Sequence, residues 1–172
     1  MTDGTALREI AADILTEILE KGQYAHLALF QALSKYQYLE KADRSFLKRI
    51  VDGTVEYKIQ IDYIINAYSK TKVHKMKPFI RTLLRMSVYQ IYYMDRVPDS
   101  AACNEAVRLA KKRGFSGLSG FVNGVLRSVA RGKGKLTFPD DSVRYSMPDW
   151  ILSLWKENYG AETTHRMAQA GL

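Results

Sequence analysis

Cysteine is almost absent from this chain, which has one residue of this type, Cys103, among 172. A single cysteine excludes an internal disulfide, and no apolar run is long enough to span a bilayer or to resemble a signal peptide. We therefore expect a protein of the reducing cytoplasm without a membrane segment. Because no disulfide supports the fold, one ordinary domain with a hydrophobic core has to supply the stability.

Two kinds of chemical site are also missing from the sequence. His26 has no second histidine or cysteine at metal-ligand spacing, so no metal site is predicted. No glycine-rich turn follows a strand, because Gly114, Gly117 and Gly120 lie between two predicted helices. Cys103 lies on the small-residue face of a helix, where we expect a packed thiol and not a nucleophile. The sequence therefore predicts neither a cofactor site nor catalysis in this chain.

Acidic residues are scarce in one part of the chain. Between Lys70 and Lys135 there are 15 lysines and arginines but three acidic residues, whereas the remainder has 11 basic and 15 acidic residues. The first part has a net charge of +12 and the remainder of −4, which together give the +8 of the whole chain. A polyanion such as RNA is the partner that this uneven distribution most readily implies.

Hydrophobic periodicity predicts an all-α fold, with helices over about 6–19, 25–36, 43–69, 79–94, 98–113 and 117–131. Asp43 is a plausible N-cap of the third helix. The fourth helix is apolar over about two thirds of its circumference, which is typical of a helix surrounded by others. Its uncovered strip carries Arg81, Arg85 and Tyr92. Pro98 separates this helix from the next, and Gly114 ends the fifth.

Two segments of the chain carry a family resemblance. DRVPDSAACNEAVRLAKK at 95–112, followed by GFVNGVLR at 120–127, resembles the signature of NusB-like domains. The segment 43–65 is similar to the third helix of that family, and Arg8 with Ala11 and Leu15 is similar to its first. NusB-like domains are all-helical RNA-binding modules, found alone in the antitermination factor NusB and at the N-terminus of RsmB/Sun-type ribosomal RNA methyltransferases. The resemblance implies two three-helix sub-bundles that share the third and fourth helices.

The composition changes after residue 131, where glycine, proline and charge predominate. We predict a NusB-like RNA-binding domain over 1–131, a linker over 132–145 and a helical extension over 146–172. The extension contains S-M-P-D-W at 146–150 and resembles the connection to the catalytic part of RsmB/Sun-type (cytosine-5) methyltransferases, whereas NusB proteins end soon after the FVN helix.

This resemblance implies the N-terminal fragment of a ribosomal RNA methyltransferase, monomeric by default, whose partners are ribosomal RNA and its own catalytic domain. It implies S-adenosylmethionine as the cofactor of the missing part, and no cofactor or enzymatic activity in this fragment. A free-standing antitermination factor and a protein-docking module remain the alternatives.

The predicted RNA face consists of basic side chains that the helical wheels leave uncovered. Helices joined by so short a connection as 114–116 are expected to be neighbours, so that their basic faces merge. The resemblance adds Arg8, an outlying residue on the first helix, and the other interpretation of Arg8 is a solvated surface arginine. Alternatively, the charge solubilises the chain or meets acidic groups of the catalytic domain. The residues are Arg8, Arg81, Arg85, Arg108, Lys111, Lys112, Arg113, Arg127 and Arg131.

Four further residues of the signature are predicted to be structural. Gly120 and Gly124 share a helix face with Arg127, and their missing side chains permit close packing of another helix, the favoured interpretation, or approach of an RNA backbone. Asn104 and Asn123 lie at the edges of apolar faces. We expect satisfied amides that join neighbouring helices, in preference to direct RNA contacts.

Overall fold

A computed structural model describes residues 3–170, which form helices joined by short connections. No strand occurs in this range, so the predicted all-α class is confirmed. Two 3₁₀ turns, Val73–Lys75 and Ser116–Leu118, precede the fifth and seventh helices. The helices are α1 Gly4–Leu19, α2 Ala25–Lys35, α3 Lys41–Glu56, α4 Lys58–Tyr68, α5 Pro78–Tyr93, α6 Asp99–Lys112, α7 Ser119–Gly132, α8 Asp141–Tyr145, α9 Asp149–Tyr159 and α10 Ala161–Gln169.

The central helix is α5, which packs against α1, α3, α4, α6 and α7. Pro78 is the first residue of α5. Proline suits this position because its φ is fixed near the helical value and because it has no N–H group that would be left unpaired. Every residue from Thr82 to Ile91 is buried, which confirms the prediction of a helix covered on nearly all sides. Polar side chains in such a helix need partners inside the protein. Gln90 accordingly donates to the carbonyl oxygen of Met86 at 2.9 Å.

Two groups of helices surround α5: α1 and α3 pack on it directly, with α2 packed against both, and α4, α6 and α7 form the second group. The predicted third helix over 43–69 is wrong in one respect, because it is divided into α3 and α4 at Tyr57, whose φ is −98° and ψ 17°. The Tyr57 ring stacks on Tyr93 with centroids 4.4 Å apart, which holds the chain at the break. The N-cap prediction is also wrong, since Glu40 is the N-cap of α3 and Asp43 lies in its first turn.

The chain after α7 returns to pack against α4. Phe138 meets the ring of Tyr63 edge-on, with centroids 6.1 Å apart. The buried side chain of Gln60 donates to the carbonyl oxygen of Arg144 at 2.9 Å, and its backbone N–H donates to Ser146 Oγ at 3.3 Å. These bonds attach α8 to the domain body, and α9 and α10 follow from it.

The predicted domain boundaries at 131 and 145 stay a prediction. The segment 132–145 contains α8, and the extension over 146–170 contains α9 and α10. The outermost residues of the predicted ranges, 1–2 and 171–172, lie outside the described residues. In the described part of the chain, every helix is too short or too polar to cross a bilayer.

Candidate nucleic-acid interface

A shallow groove of about 500 Å³ runs between α6 and α7. The short connection between the two helices makes them neighbours, as predicted. The groove lies over the two signature segments of the sequence. It is lined by Asn104, Val107, Arg108, Lys111, Ser119, Gly120, Asn123 and Arg127.

Two amides hold the guanidinium of Arg127 in this groove. Its Nη2 donates to Asn104 Oδ1 on α6 at 2.8 Å, and its Nε donates to Asn123 Oδ1, one turn earlier on α7, at 3.2 Å. The link between neighbouring helices that we predicted for the two amides thus runs through Arg127. Asn104 is exposed and Asn123 is partly buried. Three of the five N–H groups of Arg127 have no partner among residues 3–170.

The two glycines of the signature lie on an open surface. Both are exposed, and a Cβ added to either would meet no atom within 4 Å. The prediction that another helix packs against Gly120 and Gly124 is therefore wrong within the described part of the protein. The alternative, approach of an RNA backbone, has the space that it requires and stays a prediction.

The groove keeps most of its positive charge unneutralised. Lys111, Arg127 and Arg131 form no ion pair with a described acidic side chain, and Arg131 donates to Ser128 Oγ at 3.3 Å. Arg108 pairs with Glu105 at 2.9 Å, but its side chain is 66% exposed, and such pairs are weak in water. We call these four residues, Arg108, Lys111, Arg127 and Arg131, the groove cations.

The next two basic residues of α6 face α1 instead of the groove. Lys112 pairs with Glu9 at 2.6 Å, and Arg113 pairs with Asp13 at 2.9 Å and with Glu9 at 3.3 Å. The guanidinium of Arg113 also lies 4.5 Å above the ring of Phe79. The hydrogen bond from Lys112, helped by Arg113, lowers the pKa of Glu9. Lys112 and Arg113 are thus directed at carboxylates of α1 and away from the groove, and the predicted merging of all basic faces into one patch is wrong.

The two arginines of α5 are enclosed by acids of neighbouring helices. Arg85 is 5% exposed, so the uncovered strip predicted by the helical wheel is wrong at that position. Its Nε and Nη2 donate to the two carboxylate oxygens of Asp62 at 2.8 and 3.0 Å. Arg81 donates from Nε to Glu20 at 2.6 Å, and this bonding lowers the pKa of Glu20. Both arginines join helices within the fold.

Arg8 is part of the core, at 8% exposure. Its Nε donates to Gln90 Oε1 at 2.8 Å, and its guanidinium lies 5.2 Å above the ring of Phe46. Burial lowers the pKa of Arg8. The interpretation as a solvated arginine is therefore wrong, and an RNA contact would require the guanidinium to leave these partners.

The acidic partners are the residues that sequence reasoning missed. Glu9 and Asp13 stand one turn apart on α1, which was a visible sign of a carboxylate stripe, whereas nothing in the pattern linked Glu20 or Asp62 to α5.

The Cys103 thiol is buried, and burial raises its pKa, which opposes nucleophilic reactivity. No group of three or more potential metal-binding side chains occurs within residues 3–170.

Similar proteins fall into two named groups. A protein named "Probable ribosomal RNA small subunit methyltransferase B" from Bacillus subtilis is 36% identical over 174 aligned positions, which cover 98% of this chain and 38% of the relative. The transcription antitermination protein NusB of Symbiobacterium thermophilum is 35% identical, over 79% of this chain and 94% of the relative. The chain thus spans well under half of the methyltransferase relative and nearly all of the NusB relative.

Solved structures and a family model agree with these similarities. NusB of T. maritima has a TM-score of 0.70 at 22% identity, over 77% of this chain and 93% of that protein. The antitermination factors NusB and NusE in complex with dsRNA include a chain with a TM-score of 0.68 at 21% identity, over 74% of this chain and 96% of that protein. At such identities these structures establish the fold, and the NusB family model matches residues 5–131. The chain therefore belongs to the NusB family.

Proposed function

We propose that this chain is the RNA-binding N-terminal part of a ribosomal RNA (cytosine-5) methyltransferase and that the groove cations bind the RNA. The observation that carries the proposal is the α6–α7 groove, where cations without acidic partners line an open surface on the signature segments. Phosphates are the ligands that such a surface attracts. A NusB structure of the same fold has been solved with dsRNA, which supports RNA as the ligand class here.

The assignment to a methyltransferase rests on the extent of the similarity. The alignment to the Bacillus subtilis relative covers 98% of this chain and so includes most of α8, α9 and α10, whereas the family model ends at residue 131. The alignment to the NusB relative covers 79% of the chain. An extension shared with the longer relatives favours the enzyme fragment over a free-standing antitermination factor.

S-adenosylmethionine and the methyl transfer belong, under this proposal, to the part of the relatives that this chain does not span. The described residues do not fit that cofactor, because they contain no strand and hence no glycine-rich turn between a strand and a helix. The contribution of this chain is to hold the RNA.

A protein-docking role has one specific observation in its favour. Trp150 and Leu154 lie one turn apart on α9 and are 68% and 47% exposed. Neighbouring exposed apolar side chains are typical of a surface that contacts another protein or domain. The catalytic domain of the same polypeptide is the partner that we propose for this face, alongside RNA binding at the groove.

A salt titration tests the RNA-binding proposal. We expect the affinity for ribosomal RNA fragments to fall steeply and linearly in a plot of log affinity against log salt, because phosphate contacts release counterions. A salt-independent affinity, or no binding at low salt, would show that the groove cations serve another purpose.

A further inference from the structure

A second cavity, of about 350 Å³, lies where the chain after α7 packs against the rest of the protein. The NusB family model ends at residue 131, whereas most of the lining of this cavity comes from α8, the turn after it and α10. Its volume is that of a site for a small molecule. The lining residues that determine its chemistry are Glu56, Tyr57, Tyr93, Arg144, Tyr145 and Ser146.

Aromatic rings line this cavity from separate elements. Tyr57 at the α3–α4 break and Tyr93 of α5 are stacked, with centroids 4.4 Å apart. Tyr145 of α8 meets the ring of His165 edge-on, with centroids 5.3 Å apart, and its hydroxyl is hydrogen bonded to that ring. The three tyrosines are therefore held in place before any ligand arrives. Flat aromatic molecules, nucleobases among them, bind well against such rings.

Polar groups without partners lie beside these rings. The exposed side chains of Glu56 and Arg144 form no ion pair within the described range 3–170. Tyr93 and Tyr145 use their hydroxyls within the protein, whereas the hydroxyl of Tyr57 has no hydrogen-bond partner among the same residues. A negative charge, a positive charge and a phenol are thus available to one ligand.

The backbone at Ser146 is a separate indication of a binding site. Within residues 3–170 this is the one non-glycine residue in the left-handed region, with φ 54° and ψ 49°. Ser146 is buried, and its Oγ accepts a hydrogen bond from the backbone N–H of Gln60. Such conformations are unfavourable for a residue with a Cβ and are concentrated at ligand sites.

The groups at Glu56 and Tyr57 match one nucleobase. Burial and, after it, the charge of Glu56 raise the pKa of Tyr57, so the phenol keeps its proton at neutral pH. The carboxylate accepts hydrogen bonds and the phenol donates one. Guanine has the complementary edge, with the O6 acceptor beside the N1–H and N2–H donors. Adenine has an acceptor at N1, which the carboxylate repels.

We propose that this cavity binds a free guanine nucleotide, with the base among the tyrosine rings, its edge on Glu56 and Tyr57, and its phosphate on Arg144. A guanidinium is a preferred partner of phosphate. This inference goes beyond the proposed function, because the cavity shares no lining residue with the α6–α7 groove and its ligand is a small molecule.

Calorimetric titration of the whole chain tests the inference. The probes are guanosine 5′-monophosphate (GMP), adenosine 5′-monophosphate (AMP) and guanosine. We expect GMP to bind at one site, and AMP and guanosine to bind at least about tenfold more weakly, because AMP lacks the matching edge and guanosine lacks the phosphate. The RNA trinucleotide UGU should also bind more weakly than GMP, since the cavity has room for one nucleotide.

Two substitutions assign the contacts. Glu56→Gln replaces a carboxylate oxygen by a donor and should lower the GMP affinity at least about tenfold. Arg144→Gln should lower the GMP affinity to that of guanosine. Asp52→Asn, one turn before Glu56, and Arg166→Gln on α10 are the matched controls, because both residues are exposed and lie outside the lining. Both controls should bind GMP as the parent does.

The outcomes separate this inference from the proposed function. No binding of GMP, or equal affinities for GMP and AMP, would overturn the inference and leave RNA binding at the groove untouched. Parent-like GMP affinity in Glu56→Gln would show that the base lies elsewhere, and UGU that binds more tightly than GMP would show that the ligand is not a free nucleotide. Either result overturns the inference. A failure of the salt titration with ribosomal RNA would overturn the proposed function alone.

Discussion

Arg85 of α5 and Asp62 of α4 are joined by two parallel hydrogen bonds, of 2.8 and 3.0 Å. Glu20, the C-cap residue of α1, lies 3.7 Å from the same guanidinium. One arginine thereby connects three helices at a position where the sequence pattern showed only a polar residue on an apolar helix. The pair has little exposure to water, so it has to be satisfied inside the protein.

Breaking this pair should destabilise the fold. In Arg85→Met, Asp62 loses its bidentate partner, and we expect the free energy of unfolding in urea to fall by about 2–4 kcal/mol, somewhat below the range for fully buried pairs because Asp62 is 21% exposed. Arg108→Met, which removes an exposed pair with Glu105, is the control and should change stability by less than about 1 kcal/mol. Equal effects of the two substitutions would contradict the assigned role of Arg85.

The core of α5 should be sensitive to loss of volume. Leu84 and Ile91 of α5 are fully buried. Leu84→Ala or Ile91→Ala should lower the free energy of unfolding by about 2–5 kcal/mol, as large-to-small changes in packed cores do. Leu154→Ala on the exposed face of α9 should have a much smaller effect. Urea midpoints that stay unchanged in both core variants would show that α5 is not the central helix.

Acid should weaken the Arg81–Glu20 pair. Hydrogen bonding from Arg81 holds the pKa of Glu20 below its ordinary value of 4.5 in the folded state. The stabilisation is therefore complete above pH 4.5 and is lost as the pH falls through the lower pKa of the folded state, where the carboxylate finally takes up its proton. The unfolding free energies of the parent and of Glu20→Gln should differ by a constant amount at neutral pH and converge below pH 4.5. A difference that persists unchanged in acid would argue against this assignment.

The groove cations should determine the salt dependence of RNA binding. Arg127→Ala combined with Arg131→Ala removes two proposed phosphate contacts, and each loss should reduce the slope of log affinity against log salt by about 0.7–0.9. Lys41→Ala with Lys48→Ala removes the same charge from the exposed surface of α3, which packs on neither α6 nor α7. If both double variants lose affinity equally, the groove is not the binding site.

Asn104 and Asn123 should affect RNA binding through Arg127. Either residue changed to alanine frees one N–H of the guanidinium, and because both amides are at least partly exposed we expect a stability loss of about 0.5–1.5 kcal/mol. RNA affinity should fall in the parent background more than in the Arg127→Ala background. Additive losses in the two backgrounds would mean that the amides contact RNA independently of Arg127.

The helices were predictable because their signals are local. Apolar periodicity, Pro98 and Gly114 gave helix positions to within about two residues at most ends, and the all-round apolar character of α5 correctly indicated its burial. The division at Tyr57 was not predictable in the same way. Neither proline nor glycine occupies that position, and the tyrosine ring that stacks on Tyr57 comes from α5.

The site was predictable only in part, because exposure depends on partners that are distant in sequence. A helical wheel shows that Arg85 lies off the apolar face of α5. It does not show that Asp62 and Glu20 cover the strip on which Arg85 lies. The same limit explains Lys112 and Arg113, which pair with acids of α1. The open surface at Gly124 was missed for the opposite reason, since a small residue fits a close helix contact and an empty surface equally well.

The groove is built from two consecutive helices, and all of its lining residues lie between 104 and 127. Such a hairpin closes through contacts that are short-range along the chain, so little loop entropy opposes its formation. The packing of α5 does not depend on which side chains occupy the outer faces of α6 and α7. The binding surface can therefore diverge in evolution while the core stays constant, so that one scaffold can acquire different ligands by substitutions confined to a single hairpin.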